Sequence, residues 1–252
     1  MTMTTERERP PGRPPAGDAD KLPSRPPPPS KGDAGLAVDH PPVVWKFVQL
    51  MFRIYFSVFF DLKVYGVRNI PRLGGALMVS NHQSLLDPPL LGVRLRRPMS
   101  YMAKSELFKR AWFAWIIRRL GAFPVRQGAG DVGAIKETVN RLKEGRMLNI
   151  FPEGGRTETG EIGPMQSGVA LVVRRAGVPI IPVAIHGSFE AWPKGSRFFH
   201  RHPIRVVYGP PLDVSGMKAD QVVQLIDRSI RTLFERLRSE QMTDRLAAEP
   251  LH

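Results

Sequence analysis

The segment Asn81-His82-Gln83-Ser84-Leu85-Leu86-Asp87 sets a histidine five residues before an aspartate, between the apolar run 75–80 and the pair Pro88-Pro89. An imidazole with one ring nitrogen tied to a carboxylate presents the other as a base. His82 follows a predicted strand end, where α/β folds place their chemistry. Asp87-Pro88 also reads as a helix start, with Asp87 as N-cap and Pro88 at N1. On that reading His82 is a satisfied turn residue. The two readings are compatible, because a rigid helix start would hold Asp87 where the imidazole can donate to it.

Two further segments carry polar chemistry. "GAFPVRQG" (121–128) puts Arg126 after a short apolar run, and "FPEGGRTETG" (151–160) puts Glu153, Gly154, Gly155 and Arg156 after "MLNI". Glycines let backbone approach a ligand closely, and guanidinium forks match phosphate oxygens. Each segment alone is an ordinary solvated turn. Two arginine turns and a His/Asp pair, each after its own apolar run, suggest one site for a phosphorylated ligand. Other motifs fail on context. "GAGDVG" (128–133) matches G-x-G-x-x-G, but Pro124 breaks the short strand before it, so a loop capped by Asp131 fits better. "HRH" (200–202) has no carboxylate nearby in sequence, and no metal site is expected. No nucleic-acid motif is present, and no nucleic-acid partner is expected.

These residues need a scaffold. Predicted strands are 62–65, 75–80, 147–151, 179–185 and 204–208. Predicted helices are 88–95, 105–119, 131–144, 166–176 and 219–239, with Gly145 and Gly177 as C′ residues. Strand–helix alternation gives an α/β fold, a mixed β-sheet flanked by helices, over residues 61–240. Residues 241–252 read as a flexible C-terminus.

Residues 1–42 hold eleven of the 25 prolines and read as a disordered, polyproline-like tail without the pattern of a signal peptide. Residues 43–60, "VVWKFVQLMFRIYFSVFF", read as an N-terminal membrane-associated helix. Lys46, Gln49, Arg53 and Ser57 fall on one polar stripe, and the rest is apolar. A spanning helix would place Arg53 near the bilayer centre at about 2.5–3.5 kcal/mol, so an interfacial helix is favoured over a spanning one. In "LFKRAWFAWIIRRL" (107–120), tryptophans beside cations read either as a second interfacial signature or as a core helix with basic ends.

Residues 1–42 contain six basic and six acidic side chains, so the whole net charge of +14 lies in residues 43–252. Such a balance points to an anionic partner, here an anionic membrane surface. With no cysteine in the sequence, an acyl-cysteine intermediate is ruled out.

In this order, "NHQSLLD", "GAFPVR", "FPEGGRT" and "VPIIPVAIHG" resemble the four motifs of the glycerolipid acyltransferases, in particular the 1-acyl-sn-glycerol-3-phosphate (lysophosphatidic acid) acyltransferase type. The resemblance covers about residues 62–212. It implies that His82 is the general base and Asp87 its support, and that Arg126, Glu153, Gly154 and Arg156 line the acceptor site. It further implies an acyl-CoA or acyl carrier protein thioester as co-substrate with no other cofactor, a lysophospholipid acceptor, and a membrane-associated enzyme working at the cytoplasmic face. Neutral His82 is required, so activity should fall in acid. The sequence departs from the family at Gly155, Thr157, Gln166 and Ser167, the last two where lysines are frequent, which leaves other lysolipid or lyso-aminolipid acceptors open. Basic charge and amphipathic helices alone would also fit a non-catalytic membrane-binding module.

Overall fold

The computed structural model describes residues 42–119, 121–125 and 132–239. Its centre is a seven-stranded sheet of β1 (Lys63–Tyr65), β2 (Ala76–Ser80), β3 (Met99–Lys104), β4 (Ala122–Val125), β5 (Met147–Ile150), β6 (Ile180–His186) and β7 (Arg205–Tyr208), in the order β1-β7-β6-β2-β5-β3-β4. Strands β6, β2, β5, β3 and β4 are mutually parallel. β7 runs antiparallel to β6, and β1 runs with β7. The sheet is therefore mixed, as expected.

Helices cover both faces, so the central strands are apolar throughout rather than alternating. Every residue of β2, "ALMVS", is buried. On one face Leu77, Val79, Leu148 and Ile180 pack with α4 (Val132–Lys143), α5 (Gly168–Ala176) and α7 (Ala219–Arg238). On the other, Met78, Ile181, Val183 and Tyr208 pack with α1 (Pro42–Phe60) and α2 (Asp87–Gly92). Two shorter helices are α3 (Ala111–Arg119) and α6 (Ser188–Ala191). Gly145 and Gly177 do take the left-handed conformation after α4 and α5.

Several expectations change. β3 is not among the predicted strands; "MSYMAK" has little β-branched character, and its pairing with β5 and β4 overrides that local weakness. The helix expected over 105–119 begins as a 3₁₀ turn, Ser105–Phe108, and becomes α-helical only at Ala111. No helix among the described residues is long and apolar enough to cross a membrane. Nor is the polar stripe of α1 wholly outward. Gln49 donates to the carbonyls of Gly92 (2.8 Å) and Leu95 (2.7 Å), while Phe56 and Phe60 are buried in the core. The opposite side of α1 is apolar and exposed, with Val43, Phe47, Leu50, Ile54 and Val58 facing outward. The two tails at 1–41 and 241–252, and the Asp131 cap, lie outside the described residues.

Candidate active site

β2, β5 and β6 are adjacent and parallel, so their C-terminal ends open on the same edge of the sheet. The turn after β2 is anchored there. Asn81 acts as a side-chain extension of the ladder: its Nδ2 donates to Ile185 O (2.8 Å) and its Oδ1 accepts from Ile185 N (2.8 Å). Buried amides need such partners, and both of these are backbone groups of β6.

His82 follows. Its Nδ1 lies 2.9 Å from Asp87 Oδ2, with the imidazole 17% exposed and the carboxylate fully buried. With Asp87 accepting, Nδ1 carries the proton and Nε2 presents its lone pair. The ring stacks on Phe151 at 3.9 Å between centroids and 18° between planes. The main chain is held as well: His82 N–H donates to Glu153 Oε1 at 2.7 Å, and His82 O accepts from Thr157 N–H at 2.9 Å. Ring and backbone are thus fixed from two directions by the 151–157 loop.

Asp87 does not cap α2, contrary to the sequence reading. Leu86 occupies the N-cap position, and Asp87 is already helical. Its carboxylate turns back toward the His82 turn, where Oδ2 also accepts from Gln83 N–H (2.6 Å) and Ser84 N–H (2.8 Å). Oδ1 accepts from the hydroxyl of Ser188, the buried first residue of α6, at 2.6 Å. Four donors, counting the imidazole, make a buried carboxylate tolerable.

Glu153 sits between two loops. Oε2 accepts from Gly163 N–H at 2.7 Å, while Oε1 holds His82. Burial pushes its carboxyl above the ordinary range, against the pull of those two N–H bonds. Gly154 has φ +74°, a backbone conformation that L side chains rarely adopt, which favours glycine there; the end of the flexible Gln166 side chain lies against it. Arg156 is half-buried, one residue before the Thr157 amide that meets His82. The structure therefore brings His82, Asp87, Glu153, Gly154 and Arg156 to the same edge. Arg126 lies outside the described residues.

Beside this edge, Leu85 and Pro88 open a mostly apolar cavity of about 270 Å³ that continues between α1, α2, β3 and β4 to Phe52, Tyr101 and Ala122.

The His82–Asp87 pair shares its turn with Leu85, which lines the apolar cavity. The acyltransferase family model matches residues 61–186. The 1-acyl-sn-glycerol-3-phosphate acyltransferase of Bacillus subtilis is 30% identical over 170 residues, covering 67% of this chain and 82% of that protein. The chain belongs to the acyltransferase family. A protein of the same name from Streptococcus pneumoniae is 32% identical over 65% of this chain and 61% of its own length. The chain spans only about half of a chloroplastic relative from Brassica napus, at 52%. The crystal structure of the 1-acyl-sn-glycerophosphate (LPA) acyltransferase PlsC from Thermotoga maritima matches with a TM-score of 0.68 and 28% identity, covering 78% of this chain and 81% of that one.

Three residues that build this candidate site have no role in the sequence reading, Asn81, Phe151 and Ser188, and Thr157 appears there only as a departure from the family pattern. Asn81 and Phe151 fall inside motifs that were recognised. Ser188 carries no local signal at all, since its partner lies 101 residues away.

Proposed function

We propose that this acyltransferase moves a fatty acyl group from an acyl-CoA or acyl carrier protein thioester to the free hydroxyl of 1-acyl-sn-glycerol-3-phosphate, giving phosphatidic acid for phospholipid synthesis. The observation that carries the reading is the His82–Asp87 pair, held at a sheet edge beside an apolar cavity. The names of the relatives supply the acceptor.

In this reading His82 Nε2 takes the hydroxyl proton as the acceptor oxygen attacks the thioester carbonyl. The tetrahedral adduct collapses with cleavage of the C–S bond. The leaving thiolate then receives the proton from the imidazolium. No covalent enzyme intermediate is needed. Asp87 orients the ring and stabilises its charge. Arg156 and Arg126 hold the acceptor phosphate, and Gly154 lets the loop backbone approach it. Glu153 completes the acceptor side by shaping the same loop. The cavity behind Leu85 and Pro88 receives the acyl chain.

Both lipid substrates live in a bilayer, and the exposed apolar side of α1 supports attachment to a membrane surface. Exposed Trp112 (64%) and Trp115 (60%) on α3 add to it. Thioester donors place the working face on the cytoplasmic side.

The test is release of free thiol from oleoyl-CoA by purified protein in detergent or liposomes. Wild type should release thiol only when lysophosphatidic acid is present, and His82→Ala should lose this. Acceptor-independent release, or full turnover by His82→Ala, would overturn the assignment. Competition with other lysolipids reads out the acceptor range.

A further inference from the structure

A second concave site lies at the far end of the sheet. β1 is antiparallel to β2 and β6, so residues after β1 emerge where β2 and β3 begin, opposite the edge that holds His82. There Arg53 from α1, Arg68 and Arg72 from the segment after β1, and Arg94 and Arg96 before β3 surround a pocket of about 560 Å³. The remaining wall is aliphatic apart from Gln49, and no acidic side chain lines it. Neither a hydrogen bond nor an ion pair joins Arg53, Arg72, Arg94 or Arg96 to any described residue. Burial, and then the neighbouring Arg53 charge, push the Arg94 guanidinium below its ordinary value.

Arg53, Arg72, Arg94 and Arg96 converge with no counter-charge among the described residues, and such cations repel one another, so a pocket that keeps them together is suited to an anion. Guanidinium forks favour phosphate oxygens. The anion's source is indicated by α1. At 100° per residue Arg53 stands between the inward stripe of Phe52 and Phe56 and the exposed ridge of Leu50, Ile54 and Val58. A phosphate in the pocket therefore borders an exposed apolar surface, as a lipid headgroup does.

We propose that this pocket binds the phosphate of an anionic phospholipid that is not the reacting acceptor, and so fixes how the enzyme sits on an anionic bilayer. The proposal rests on the membrane contact proposed for α1 but not on the acyl-transfer chemistry. The acceptor phosphate has its own arginine at the opposite edge, on the loop that holds His82.

The experiment compares vesicle binding by wild type, Arg72→Gln/Arg94→Gln and, as an equal charge change elsewhere, Arg174→Gln/Arg175→Gln on α5. Vesicles are pure phosphatidylcholine, or phosphatidylcholine with about one-third phosphatidylglycerol. The pocket variant should lose roughly thirtyfold in binding to the anionic vesicles, keep wild-type binding to the neutral ones, and keep wild-type turnover in detergent micelles. Arg72→Lys/Arg94→Lys should recover only part of the loss. Equal losses in the pocket and control variants, or full recovery by lysine, would reduce the pocket to diffuse surface charge and overturn the proposal. Saturable binding of inorganic phosphate with no preference for anionic vesicles would overturn the lipid assignment in favour of a soluble phosphate. Loss of neutral-vesicle binding by wild type would refute the α1 contact instead, and absence of turnover would refute the acyl-transfer reading.

Discussion

The His82 peptide N–H donates to Glu153 Oε1 at 2.7 Å, and the other oxygen of the same carboxylate accepts from Gly163 N–H at 2.7 Å. Both oxygens of Glu153 are thus committed to backbone donors, and the residue clamps the His82 turn to the 151–163 loop. Glu153→Gln keeps the size but turns an NH₂ group onto one of those N–H groups. A buried donor left without an acceptor costs about 1–3 kcal/mol. The expected result is a kcat lower by roughly ten- to hundredfold with the acceptor KM changed less than about threefold. Steady-state kinetics on both substrates check this. A large rise in acceptor KM at unchanged kcat would make Glu153 a direct acceptor contact.

The same carboxylate makes a pH-dependent prediction. Burial raises its pKa in the folded protein, so the folded state binds this proton at higher pH than the unfolded chain does. As pH falls through the folded value, protonation favours the folded state; as pH rises through it, the ionised group weakens folding. Glutamine cannot titrate. The stability of wild type relative to Glu153→Gln should therefore increase on acidification from neutral toward the ordinary carboxylate range. Denaturant midpoints of both proteins at several pH values measure the gap. A gap that shrinks toward acid would contradict the raised pKa.

Much of this was legible in the sequence, because the strand–turn motifs are local. Apolar runs predicted five of the seven strands, and the spacing of His82 and Asp87 placed both in one turn. What stayed hidden depends on distant partners. β3 exists through its ladders with β5 and β4, not through its own composition. Asp87-Pro88 looked like an N-cap, and only the positions of the Gln83 and Ser84 amides turn the carboxylate the other way. The apolar cavity draws its walls from α1, α2, β3, α3 and β4 and has no signature in any one of them.

Ser188 is one such distant partner. Its hydroxyl is the donor to Asp87 Oδ1, and both residues are fully buried. Removing the hydroxyl leaves a buried carboxylate oxygen without a partner and frees Asp87 to rotate away from the ring. Ser188→Ala should lower kcat about tenfold or more, with both KM values near wild type. Ser188→Thr keeps the hydroxyl and should recover most of the rate. If alanine and threonine are equally impaired, bulk at this position matters and the hydrogen bond does not.

The cavity makes the last prediction. Ala122 and Tyr101 are register partners on β4 and β3, and both line the apolar wall behind Leu85 and Pro88. If the acyl chain lies there, side-chain volume at position 122 competes with the chain for the same space. Ala122→Leu adds three carbons. Burial of each methylene is worth about 0.8 kcal/mol, so displacing two or three of them should cost roughly ten- to fiftyfold in kcat/KM for a long-chain donor. A donor short enough to stop before Ala122 loses none of that burial and should react at nearly the wild-type rate. The quantity to measure is the ratio of kcat/KM for oleoyl-CoA to that for a medium-chain acyl-CoA, in both proteins. A shift of the ratio toward the shorter chain places the acyl group in this cavity. An equal fall for both donors would mean that the leucine disturbs the sheet edge and that the chain lies elsewhere.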